Sequence, residues 1–190
     1  MKDIEIIQLF SSNVYIKKTD IKNLKNLTDE LKNQINYVPN TIMSNVGGVQ
    51  LRFDHEKSLN SLNEVKSIIV NEFKNFPKFK FESVWLNINN RNNFNISHTH
   101  PGCDYAGVIY LKVPENSGSI RFQNPNAFGR SNYFEKLTEK ERKDTFQYPQ
   151  YQIFPEEGDI LLFPADLPHY VMPNNSEEER ISLAFNINFV

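Results

Sequence analysis

Arg180-Ile-Ser-Leu-Ala-Phe-Asn-Ile-Asn-Phe189 alternates without a break. Ile181, Leu183, Phe185, Ile187 and Phe189 form one row, and Arg180, Ser182, Ala184, Asn186 and Asn188 form the other. A period of two belongs to a strand, because successive side chains leave opposite faces of the pleat. The apolar row belongs on a core or under helices. The other row is polar or small and begins with an arginine, as the lining of a barrel that binds a small anion would. Arg180 can grip a carboxylate with two parallel hydrogen bonds, and Ser182 can add a third. The competing reading is an edge strand with a solvated polar face.

The same division recurs upstream. In Phe81 to Asn89, Val84, Leu86 and Ile88 oppose Trp85, Asn87 and Asn89. In Tyr105 to Val113, Tyr110 shares a face with Val108, so Asn87 and Tyr110 can line one cavity. Asn95 to His100, Ser119 to Gln123, Tyr151 to Phe154, Asp159 to Phe163 and Tyr170 to Met172 read as further strands, punctuated by Pro, Gly and Asn. Short strands at this spacing predict a sandwich or barrel.

Before residue 79 the pattern is mixed. Ile4 to Phe10 and Val14 to Ile16 read as short strands, and Val46 to Phe53 as a β-like stretch broken by Gly47-Gly48. Ile21, Leu24, Leu27, Leu31 and Ile35 recur at a helical period, with Thr19 and Asp20 as capping candidates and Pro39 as the stop. Leu59, Leu62, Val65, Ile69 and Phe73 give a second helical stripe over about 58–76, stopped by Pro77. Both stripes are expected to pack on a sheet. The polar segment 124–149 has room for a short helix and reads either as a lid or as solvated padding. The expected organisation is one domain, 1–190, mainly β with flanking helices: a support region over 1–78 and a β core over 79–190.

The bulk numbers narrow the function. A chain of 190 residues, 39% apolar and 23% charged, buries one core. A net charge of -2 gives no basic surplus for nucleic acid. No apolar run approaches the ~20 residues of a membrane span. Cys103 is the single cysteine, so no intramolecular disulfide forms and a cytoplasmic location is expected. A partner subunit packing against the segment before residue 44, in a homodimer, is left open.

The chain holds four histidines. His55, between Asp54 and Glu56, reads as a surface residue. His98 and His100 are two apart, so on a strand they point to one side, as two ligands of one metal would. His169, after Pro164-Ala-Asp-Leu-Pro168, would bring a third imidazole from a distant strand and leave the opposite face of an octahedron open.

These residues resemble a known group, the 2-oxoglutarate/Fe(II) oxygenases found in marine bacteria and their phages, within the prolyl-hydroxylase-like superfamily. The matching text is Ser44-Asn-Val-Gly-Gly-Val-Gln50, Trp85-Leu-Asn87, His98-Thr-His-Pro-Gly102, Ala106-Gly-Val-Ile-Tyr-Leu-Lys-Val-Pro114, Gly158-Asp-Ile-Leu-Leu-Phe-Pro164, Leu167-Pro-His169, Pro173-Asn174 and Arg180-Ile-Ser-Leu-Ala-Phe-Asn186. The resemblance implies a double-stranded β-helix, a cupin-like jelly roll with helices outside. It implies Fe(II) as metal and 2-oxoglutarate as co-substrate. His98 would be the first metal ligand and His169 the distal one. Arg180, with Ser182, would meet the far carboxylate of 2-oxoglutarate, and Tyr110 and Asn87 would add contacts. The implied activity is a dioxygenase that hydroxylates a small molecule or a peptide.

One position departs from that group. Most of its superfamily carries His-x-Asp or His-x-Glu, and here His100 stands at the acidic position. Asp104 is the alternative third ligand; His100 is preferred for its spacing from His98. Two rival functions remain at this point. In a cupin enzyme without 2-oxoglutarate, His98, His100, Asp104 and His169 fit the motif order, but Arg180-x-Ser182 has no evident task. In a non-catalytic jelly-roll module the metal would serve structure alone.

Overall fold

A computed structural model describes residues 12–36, 43–53, 59–126 and 131–190. The expected strand at Ile4 to Phe10, the stop at Pro39 and His55 lie outside them. The chain opens with β1 (Tyr15–Lys17), α1 (Leu24–Lys32), a 3-10 turn (Asn33–Asn36), β2 (Asn45–Val46), β3 (Val49–Arg52) and α2 (Asn60–Glu72). It continues with β4 (Phe79–Asn89), β5 (Phe94–His98), β6 (Tyr105–Lys112) and β7 (Ile120–Gln123). Then come α3 (Ser131–Glu135), α4 (Glu139–Thr145), β8 (Gln150–Ile153), β9 (Ile160–Pro164), β10 (His169–Val171) and β11 (Arg180–Phe189).

The strands form two sheets, a major one in the order β1-β9-β6-β11-β4-β3 and a minor one in the order β2-β5-β10-β7-β8. Every pairing is antiparallel. Mostly β, with two facing sheets and helices outside, this is the jelly roll expected from the sequence. The residues before 79 supply both edge strands of the major sheet and one of the minor: β1 pairs with β9, β3 with β4, and β2 with β5.

Two apolar layers hold the fold. The outer layer joins Leu27 and Leu31 of α1, and Leu62, Val65 and Ile69 of α2, to the outward row of the major sheet. That row is Val84, Leu86 and Ile88 of β4 and Ile181, Leu183, Phe185 and Ile187 of β11, as their alternation predicts. Burying each such side chain stabilises by about 1.5–3 kcal/mol. The stripe of α1 is therefore spent on its own chain. The inner layer lies between the sheets and joins Ala106, Val108, Tyr110, Leu161 and Phe163 to Ile120, Phe122 and Leu167.

Two local expectations change and a third holds. Neither Thr19 nor Asp20 caps α1, which starts at Leu24 behind Asn23 with no side-chain cap. The Thr19 hydroxyl instead donates to the Gly158 carbonyl at 2.5 Å, tying the approach to α1 to the turn before β9. The strand expected to reach His100 ends at His98. Segment 124–149 holds α3 and α4; α4 begins in a capping box, Thr138 with Glu141, and stops at Phe146 in the left-handed region. Among the described residues no helix is long and apolar enough to cross a membrane.

Candidate metal centre

His98 and His169 face each other across the β5–β10 ladder. Two positions along, Val171 pairs with Asn95 and not with Ile96, because the register shifts between the pairs. The shift turns Asn95 and His98, three residues apart, into the same cavity. His100 reaches it from beyond the strand, in the turn before β6, where its backbone N–H donates to the Ala165 carbonyl at 2.7 Å. The ligand-capable atoms of the three histidines lie within 4.8 Å of one another. The Nε2 atoms of His100 and His169 are 3.3 Å apart.

Backbone carbonyls orient two of the rings. His98 Nδ1 donates to Ile96 O at 2.7 Å, and His169 Nδ1 donates to Leu167 O at 2.9 Å. A carbonyl only accepts, so the proton sits on Nδ1 and Nε2 keeps its lone pair toward the common centre. Burial lowers the pKa of all three rings: that of His98 falls, that of His100 falls to about 4, and that of His169 falls to about 3, with His98 nearby adding to the fall. The cluster is thus neutral at ordinary pH, the form a metal ion requires.

Arg180 lies in the same cavity and is 2% exposed. Its Nη1 is already used, donating to Ser117 O and, at 3.3 Å, to Met172 O. Nη2, by contrast, is buried and has no partner among the described residues, which leaves its N–H groups for an anion. Burial lowers the guanidinium pKa, offset in part by Tyr110. A buried cation without an acid costs several kcal/mol, which an incoming anion offsets. Ser182 stands in register between Asn87 of β4 and Tyr110 of β6, so these three form one polar rung across the inner face. Burial pushes the Tyr110 pKa well above the usual phenol range, so the hydroxyl keeps its proton and can donate.

His98, His100, His169, Asn87, Tyr110, Arg180 and Ser182 all line this one cavity. Asp104 does not: its Oδ2 accepts from the Phe189 N–H at 2.8 Å, at the end of β11. Ser44 and Asn95 line the cavity as well, and sequence reasoning assigned neither a role. Ser44 Oγ lies 3.4 Å from His98 Nε2 and accepts from Asn95 Nδ2 at 3.1 Å. No periodicity marks Ser44, which precedes a two-residue strand, and Asn95 is turned inward by the register shift. Three convergent neutral ring nitrogens, a free guanidinium nitrogen and no Asp or Glu among the lining residues fit a divalent cation together with a small carboxylate.

The family model described as "Putative 2OG-Fe(II) oxygenase" matches residues 83–186, more than half of the chain and all of the polar lining above except Ser44. Solved structures share the fold. A prolyl-4-hydroxylase of Pseudomonas putida is similar over 95% of this chain and 94% of its own, at 12% identity and a TM-score of 0.60. A prolyl hydroxylase of Trichoplax adhaerens, in complex with a hypoxia inducible factor peptide fragment, is similar over 93% and 83%, at 13% identity and a TM-score of 0.65. The epimerase SnoN, in complex with Fe3+, alpha ketoglutarate and nogalamycin RO, is similar over 94% and 79%, at 11% identity and a TM-score of 0.67. No curated protein sequence matches the chain.

Proposed function

The chain belongs to the 2OG-Fe(II) oxygenase family, and from that premise we propose that His98, His100 and His169 hold the iron while Arg180 and Ser182 hold the far carboxylate of 2-oxoglutarate. The observation that carries this reading is the pairing of a three-histidine cluster with an unpartnered buried guanidinium nitrogen in one cavity. When bound, iron would activate dioxygen, the oxidant, with 2-oxoglutarate as reductant: it would be decarboxylated to succinate and CO2, one oxygen atom going to succinate and the other to the substrate.

The chain's own residues do the rest. Ile96 O and Leu167 O fix the proton-bearing nitrogens of His98 and His169, so both rings meet the cation without a proton to lose. Arg180 offers Nη2 to a carboxylate oxygen, and the Ser182 hydroxyl donates to the same group. Tyr110 and Asn87 add a hydroxyl and an amide along the same rung. Ile120, Phe163 and Val171 keep water from the inner side of the cavity. Asp104 lies outside the cavity lining, with Oδ2 on the Phe189 N–H, which supports this set over the cupin order.

The substrate is a small molecule or a peptide that presents a C–H bond to this centre, and hydroxylation is the expected outcome. The single cysteine, with no need for an oxidising compartment, supports a cytoplasmic setting. The test is succinate formation from 2-oxoglutarate with Fe(II), paired with anaerobic titration of 2-oxoglutarate into the Mn(II) protein. Binding with turnover supports the reading; metal binding without any 2-oxoglutarate binding overturns it.

A further inference from the structure

We propose that Trp85 is the positioning residue of His100, holding the one ring of the cluster that the backbone leaves loose; this rests on the ligand set proposed above. His98 and His169 lie on strands, and each is tied through Nδ1 to a carbonyl two residues earlier. His100 lies past the end of β5, and among the described residues its ring makes one hydrogen-bond contact, Nε2 to the Nε2 of His169. That contact is lost when both lone pairs turn to a cation. What remains is contact between flat rings. The Trp85 indole stacks with the His100 ring at 5.7 Å and 29°, and the His169 ring stacks with it at 5.1 Å and 12°.

Trp85 is well placed to act as a wall. It sits inside the eleven-residue strand β4, paired with Arg52 of β3 and Ala184 of β11, and is 9% exposed. Ala184, on the same inner face, leaves room for the indole. A rigid plane against an imidazole restricts rotation about its Cβ–Cγ bond and keeps Nε2 on the centre, as a hydrogen bond to Nδ1 does for the other two rings. Removing an outer partner of a metal ligand typically costs about 10–100-fold in metal affinity.

The experiment titrates Co(II), followed by its visible absorption, into wild type, His100→Ala, Trp85→Leu, Trp85→Phe and the double variant His100→Ala/Trp85→Leu. Trp85→Leu should weaken binding about tenfold or more and move the Co(II) spectrum toward that of His100→Ala. Trp85→Phe, which keeps a flat ring, should recover most of the loss, and Trp85→Leu should cost nothing further once His100 is gone. Wild-type affinity and spectrum in a folded Trp85→Leu protein would overturn the proposal, as would an equal cost in both backgrounds. If His100→Ala itself changes neither affinity nor spectrum, the ligand assignment has failed and the positioning role falls with it. Should Trp85→Leu not fold, the single tryptophan decides the matter through 5-fluorotryptophan labelling. Zn(II) should then shift the one fluorine resonance in wild type and leave it in place in His100→Ala; equal shifts in both overturn the proposal.

Discussion

The role proposed for each of several polar side chains of the cavity can be tested by one substitution. His169 supplies a corner of the cluster and is 3% exposed. His169→Ala should leave the purified protein without bound Fe(II) or Mn(II), and unchanged metal content would sink the ligand set. The third corner separates two candidates. His100→Ala should weaken Mn(II) binding, whereas Asp104→Ala should leave it unchanged, because that carboxylate serves the Phe189 N–H; the reverse order in a metal titration would reinstate Asp104. Arg180→Ala should lower 2-oxoglutarate affinity by roughly tenfold to a hundredfold, since a hydrogen bond to a charged group is worth about 1.5–3 kcal/mol. Arg180→Lys should recover only part, because an ammonium cannot serve Ser117 O, Met172 O and an incoming carboxylate from one plane. Equal 2-oxoglutarate titrations for all three proteins would place the anion elsewhere.

Strands carry the argument at the next scale, and β11 carries most of it. Its apolar row lies under α1 and α2, and Arg180, Ser182 and Ala184 of its other row line the cavity. Beside it Gly107 of β6 has no room for a side chain: an added Cβ would lie 2.3 Å from the Phe185 ring and 2.9 Å from Leu161 O. Gly107→Ala should destabilise the fold by about 1–3 kcal/mol in urea unfolding, the usual cost of overpacking; a variant as stable as wild type would mean that Phe185 swings aside freely. Such strands were legible in the sequence because alternation is a local property that any two-sided sheet imposes. The two helices were legible for the same reason. Pairing was not: that β11 lies between β6 and β4, or that Asn95 turns inward, follows from long-range register, which no local pattern carries. The cluster itself was found by a spacing argument that the fold replaces, since His100 reaches the centre from a turn and not from the strand of His98. The misplaced start of α1 is of the same kind, because Thr19 is claimed by Gly158, far along the chain.

For the whole molecule, the buried imidazoles link stability to pH. Folded His100 and His169 hold their pKa near 4 and 3, while an unfolded histidine takes its proton near 6.5. Between those values the unfolded chain binds more protons, so stability rises with pH through the window and is lost as pH falls from about 6.5 toward 4. The unfolding midpoint of the chelator-treated protein should drop across that range, and His169→Gln should flatten the drop; parallel profiles for the two would remove the histidines as its cause. Saturating Mn(II) should raise the midpoint at neutral pH, by the equivalent of about 2.7 kcal/mol at a hundred times Kd. The order of the major sheet carries one more consequence, for the chain as it is synthesised. β11, which joins β1-β9-β6 to β4-β3, follows all of those strands along the chain, so the two parts of the sheet are made before the strand that pairs them, residues 180–189. His169 opens β10, after nine of the eleven described strands. A three-histidine grip on a metal ion therefore comes late, on strands whose partners have for the most part already been made.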